Sequence, residues 1–251
     1  MTTRIYNHKN DVVDHRDWLF KEAHAPEALV SYPDKISLRD KFTFGVWDQG
    51  TLGSCSAHAI LACYTFEHGG GPWSRLDLYY QERLLEDSVN EDSGAMMRDG
   101  IKVLADSGVG LEEHWPYVIS KFKEAPPEKE IQEASDNKII TYSSLQSADD
   151  YKTCLASGYP FAIGIQIFAT FESDRVAAFG VVPMPAYGDQ CLGGHAVTVI
   201  GYDSNFRGHG KAYYELRNSW GAHWGDHGYF WLPAEYLEDP RLASDAWTIR
   251  K

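Results

Sequence analysis

The chain has 251 residues, 43% of them apolar and 14% aromatic, and a formal net charge of −13. That apolar content over that length supports one large domain or two close lobes, and an ordinary charged fraction excludes wholesale disorder. An acidic chain with scattered Lys and Arg has no long-range attraction for nucleic acid or anionic lipid, so neither is an expected partner.

The four cysteines, Cys55, Cys63, Cys154 and Cys191, include no CxxC pair. This argues against a zinc site and excludes a dense disulfide framework, while one or two disulfides stay open. Cys63 and Cys154 read as small buried hydrophobes.

Residues 1–36 are polar and irregular. They read as an N-terminal extension or short pro-segment on a main domain of residues 37–251. The first twenty residues lack an apolar signal-peptide core, and no run is long enough to span a bilayer. The compartment is left open: cytoplasmic, exported by a non-classical route, or exported with a signal already trimmed away.

From Cys55 to His68 the apolar positions Ala59, Ala62, Cys63 and Phe66 recur every three or four residues, which predicts a helix ended by "GGGP". "SRLDLYYQERLLED" (74–87) predicts a second helix, N-capped by Ser74 with Asp77 in its first turn. "MRDGIKVLADSG" (97–108) predicts a third, closed by Gly108. The Pro- and Glu-rich stretch 123–138 marks a boundary between a helical lobe, about 50–122, and a β-rich lobe, about 138–251. Beyond it, "PFAIGIQIF" (160–168), "HAVTVIGYD" (195–203), "KAYYELRNSW" (211–220) and "GYFWL" (228–232) read as strands, with a helix after 147. Helices first and strands second give the class α+β.

Cys55 follows Gly53-Ser54 and opens the first helix, where the positive helix end favours a thiolate. A nucleophile of this kind needs a base, and the base needs an orienting group. His195, after two glycines and before an apolar strand, is placed as a histidine projecting from a strand end into a cleft. Asn218 ends another β-rich run, so its amide oxygen can accept the imidazole N–H while Trp220 shields the bond. Gln49 is suited to donate to a developing oxyanion together with the Cys55 N–H.

The order Gln, Cys, His, Asn resembles the papain-like cysteine peptidases. The Cys–His gap is 140 residues, within the about 130–150 of that signature, and Asn218 follows 23 later. "NSWGAHWGDHGYFWL" is similar to the family's Asn-Ser-Trp-Gly block at every fixed position. His223 and His227, spaced like metal ligands, fall in its variable positions, and "RGHGK" (207–211) reads as a hairpin turn. The resemblance implies two lobes, a helical one and an antiparallel barrel-like one, with the active-site cleft between them. It implies no metal or organic cofactor, an extended peptide or protein substrate, and a monomer. It assigns Gly94 to backbone pairing with the peptide, the Gly194 carbonyl to the same role, and Trp220 to the substrate side of the cleft.

Leu52 stands where the family usually has a disulfide cysteine, Ser56 where it has an aromatic, and Ser93-Gly94 where it has two glycines. These departures, with "DQGTLGSC" (48–55), are closest in style to the bacterial and viral peptidases of the xylellain type. The expected chemistry is endopeptidase, with a resting Cys55 thiolate and His195 imidazolium. The alternatives are a transpeptidase or ligase on the same scaffold, or an inactive peptide-binding relative. Residues 1–36 are either a latency device, anchored through "DHRDWLF" (14–20), or a structural belt.

Overall fold

A computed structural model describes residues 4–23, 32–139 and 141–250. The rest of the N-terminal extension, 1–3 and 24–31, lies outside the described residues.

In chain order the elements are α1 (Phe20–Ala23), β1 (Lys35–Ser37), α2 (Cys55–His68), α3 (Arg75–Leu85), α4 (Met97–Asp106) and α5 (Glu128–Ala134). Then follow β2 (Thr141–Leu145), α6 (Ala148–Ala156), β3 (Phe161–Phe168), α7 (Asp174–Phe179) and β4 (Cys191–Asp203). The chain closes with β5 (Tyr213–Arg217), β6 (Tyr229–Pro233), α8 (Ala234–Leu237) and β7 (Ala243–Arg250). The architecture is α+β with two lobes.

In the helical lobe, Ile60, Leu61, Tyr64, Leu76, Leu78, Tyr79, Met97, Ile101 and Leu104 form one hydrophobic cluster. The Ser74 hydroxyl accepts from Asp77 N–H, the N-cap read from the sequence. Helix α2 is buried from Cys55 through Thr65, because it runs between that cluster and the sheet. The Thr198 hydroxyl donates to the Ala59 carbonyl, joining β4 to this helix.

The sheet runs β2-β7-β3-β4-β5-β6, with β1 also paired to β4, and every pairing is antiparallel. Phe161, Ile163, Ile165 and Ile167 face a second cluster with Val197, Val199, Leu216, Phe230 and Leu232. Strands β1, β2 and β7 are absent from the sequence reading. All four cysteines are free thiols; Cys55, Cys63 and Cys154 are buried and Cys191 is exposed. Among the described residues no helix is long and apolar enough to cross a membrane.

Candidate active site

Cys55 is the first residue of α2 and only 1% exposed. Its sulfur accepts a hydrogen bond from the Ala196 N–H, which brings it against β4 beside His195. His195 Nε2 lies 2.9 Å from Asn218 Oδ1, so the ring donates there and turns Nδ1 away from Asn218. Asn218 Oδ1 also accepts from the Ser219 N–H, which fixes the amide's orientation. Trp220 stacks on the imidazole at 4.8 Å between centroids and an interplanar angle of 26°, covering the pair.

Gln49 is 2% exposed. Its side-chain NH₂ donates to the Leu52 carbonyl at 2.9 Å, and its Oε1 accepts from the Ser219 hydroxyl at 2.6 Å. An amide NH₂ has two donors, so one remains for an oxyanion. The Tyr117 hydroxyl fastens this loop, donating to the Gln49 carbonyl and bonding Ser54 Oγ at 2.6 Å. Ser219 and Tyr117 were not legible as site residues. Ser219 stood within the Asn-Ser-Trp-Gly block without an assigned role, and Tyr117 carries no sequence signal.

The cleft is occupied by the chain's own residues 4–9. His8 N–H donates to the Gly194 carbonyl at 3.1 Å, and Lys9 N–H to the Ala95 carbonyl at 3.3 Å. The Gly194 carbonyl thus accepts from the chain's own segment. On the opposite wall the bond falls on Ala95, and Gly94 supplies clearance: with φ +67°, a Cβ there would lie 1.9 Å from the Asn7 carbonyl oxygen. The Asn7 side chain covers Gly53 and donates to the Asp92 carbonyl. Tyr6 sets an edge against His195 and Trp220, and Arg4 lies 4.1 Å over the Trp220 ring while pairing with Glu172. The sequence reading put the anchor at 14–20. That anchor exists, through Arg98 paired with Asp17, Trp18 stacked on Tyr142 and Phe20 buried at 2%. The residues in the cleft are farther upstream.

Both reacting groups are buried, Cys55 at 1% and His195 at 0% exposure. Burial pushes the Cys55 thiol up to about 12, against hydrogen bonds from the Ala196 and Ser56 N–H groups, with Glu82 acting in the same upward direction. Burial also pushes His195 down to about 4, opposed by the Asn218 bond. Burial thus opposes charge on both groups while residues 4–9 lie in the cleft.

The Asp11 carboxylate accepts from the Arg98 backbone N–H and from Trp247 Nε1, tying the segment to β7. Burial, then Asp245, raise its pKa to about 6. A carboxyl whose pKa rises on docking binds protons more tightly when docked. Docking therefore weakens as pH rises from about 4 to about 6 and is level above that. Asp11→Asn keeps an acceptor and removes the charge. It is expected to slow Cys55 labelling by a thiol probe about three- to tenfold at neutral pH and to leave it unchanged near pH 4. Equal rates at both pH values would contradict this.

A helix-end thiol beside a strand-borne imidazole, an orienting amide and a spare amide donor, in a two-lobe α+β cleft, is the arrangement that thiol acyl transfer requires. Residues 32–247 match the family described as papain family cysteine protease, and the chain belongs to it. An uncharacterized peptidase C1-like protein of Acanthamoeba polyphaga mimivirus is 40% identical over 81% of this chain and 69% of its own. The structure of xylellain, a cysteine protease from Xylella fastidiosa, superposes with a TM-score of 0.87 at 36% identity, covering 98% of this chain and 96% of that one. Cathepsin L of Sarcophaga peregrina is 26% identical over 91% of this chain and 67% of its own. The chain is thus a papain-family cysteine peptidase, in the motif style the departures at Leu52 and Ser56 indicated.

Proposed function

We propose that Cys55, His195, Asn218 and Gln49 carry the endopeptidase reaction of this chain, and that residues 4–9 hold it latent. The observation that carries this is the Asn218–His195 pair, stacked under Trp220 and set beside the Cys55 sulfur at the start of α2. With the cleft open, water and substrate reach the pair, and the proton moves from sulfur to His195.

The thiolate attacks the peptide carbonyl carbon, forming a C–S bond and sending the π pair to oxygen. The second Gln49 N–H and the Cys55 N–H receive that charge. As the oxygen's pair returns, the C–N bond breaks and His195 gives its proton to the departing amine. His195 then takes a proton from water, whose oxygen attacks the thioester. The C–S bond breaks, releasing the acid and restoring the pair.

The segment also indicates which side chain the cleft prefers. His8 is turned inward against Gly164, with its side chain 1% exposed and Nε2 3.6 Å from Asp245 Oδ2. A cavity of about 440 Å³ adjoins Asp245 between the segment and Ser144, Tyr151 and Trp247. A longer basic side chain in place of His8 reaches the same carboxylate. The expected selectivity is Arg or Lys over Leu at that peptide position. Asp245 has φ +59°, a conformation Asn adopts readily, so Asp245→Asn preserves the backbone.

Two peptidyl epoxides differing only in Arg or Leu at that position test both statements. The ratio of their labelling rates on the full chain is independent of how often the segment opens. Asp245→Asn is expected to lower the Arg-to-Leu ratio about tenfold, roughly 1.4 kcal/mol. An unchanged ratio removes Asp245 from specificity; no adduct on Cys55 from either probe, in the full chain and in Tyr6→Gly with His8→Gly alike, removes Cys55 as the nucleophile.

A further inference from the structure

The Pro- and Glu-rich stretch 123–138 takes no part in the site above. Its helix α5 carries Glu130 and Glu133, three residues apart, against the turn that holds His114. Glu130 is fully buried, and neither of its carboxylate oxygens has a hydrogen-bond partner. It presses so closely on Gly110 that a Cβ there would lie 2.2 Å from its carboxyl carbon and Oε1. His114 Nδ1 lies 2.5 Å from Glu133 Oε2 and 3.7 Å from Glu130 Oε2.

The surroundings are short of positive charge. Asp77, Glu112 and Glu133 place further acidic groups around Glu130. The neighbouring Arg75 is paired with Glu112 through two nitrogens. Lys129 reaches the other oxygen, Glu133 Oε1, at 3.6 Å and is 69% exposed. An imidazole nitrogen 3.7 Å away and no hydrogen-bond donor leave the buried Glu130 carboxylate poorly compensated, which favours a bound cation.

We propose that His114, Glu130 and Glu133 form a divalent-cation site of the zinc type, with Glu130 as its buried anchor. One ligand atom from each residue lies within 4.8 Å of the other two. Two ligands at about 2.1 Å from a tetrahedral zinc ion are about 3.4 Å apart, so the shell closes once the widest pair moves together by up to about 1.4 Å and the His114–Glu133 pair parts by about 0.9 Å. One imidazole with two carboxylates suits zinc better than calcium or magnesium, which take oxygen shells. His114 is 25% and Glu133 38% exposed on their side chains, which leaves an entry path and room for a water ligand. No thiol takes part in this site, so the lack of a CxxC pair has no bearing on it.

Such an ion clamps α5 to the turn carrying Glu112, whose carboxylate also accepts from the Tyr117 backbone N–H. Its role is structural: none of its ligands touches the reacting groups. The rival neutraliser is a proton on Glu130.

The test uses the full chain bearing Cys55→Ala, which removes the catalytic thiol as a competing ligand. Zinc uptake is measured by equilibrium dialysis at neutral pH, and thermal unfolding is followed with and without zinc. The expected result is one equivalent of zinc, with affinity at least tenfold lower in His114→Ala and in Glu133→Gln, and a zinc-dependent rise in Tm that both variants lose. Uptake indifferent to both substitutions overturns the proposal. So does a parent chain that takes up no zinc while Glu130→Gln keeps or raises its Tm, the result a protonated Glu130 gives.

Discussion

Gln49→Ala lowers kcat by about 10²–10³-fold with little change in KM, the size of effect expected for one preorganised oxyanion donor. The geometry gives the reason. Ser219 and Leu52 hold the Gln49 amide from two sides, and Tyr117 holds its backbone carbonyl. The free N–H is therefore fixed before substrate arrives, and little reorganisation is needed as charge develops. Ground-state peptide makes little use of that donor, so the loss falls on kcat. Steady-state kinetics on a peptide that the parent chain cleaves separates the two quantities. A rise in KM at unchanged kcat would assign Gln49 to binding instead.

Tyr6→Gly with His8→Gly raises the rate at which a thiol probe labels Cys55 by about 100-fold. Each side chain contributes roughly 1.5 kcal/mol of buried contact, about 3 kcal/mol together, and each 1.4 kcal/mol is tenfold in the open fraction. The variant keeps its fold, because Asp17, Trp18 and Phe20 still tie the extension to Arg98, Tyr142 and the core. A second readout follows from burial. In the covered chain burial pushes the thiol up to about 12. Opening the cleft restores solvent and the imidazolium partner, which lowers the thiol pKa, so thiolate ultraviolet absorbance appears at neutral pH in the variant and not in the parent. If labelling and absorbance match the parent, residues 1–36 are a belt and the latency reading fails.

The helical lobe was legible because its signals are local. Ser74 caps α3, Gly69 follows α2, and the apolar spacings are helical. The β-rich lobe was legible where one face is apolar, as in β3. It was not legible at β7, which is paired on both sides by β2 and β3 and lacks regular alternation.

His195 was expected at a strand start, and it is the fifth residue of β4. The two glycines before it suggested a boundary, yet they continue the strand: Tyr6 and His8 of the segment pass too close for side chains at Gly193 and Gly194. Residues 4–9 themselves gave no signal. They are held by backbone bonds and polar contacts, which leave no hydrophobic period to read. The cluster at His114 was equally silent, since its members are 16 and 19 residues apart and only the fold joins them.

The catalytic assignment is tested most directly by intact mass and peptide mapping of the full chain after treatment with an epoxide thiol probe. The expected result is a single adduct on Cys55, absent in Cys55→Ala and strongly slowed in His195→Ala. Cys191, the exposed thiol, provides the internal contrast. Modification of Cys191 alone, or labelling of Cys55 at the same rate without His195, would contradict it.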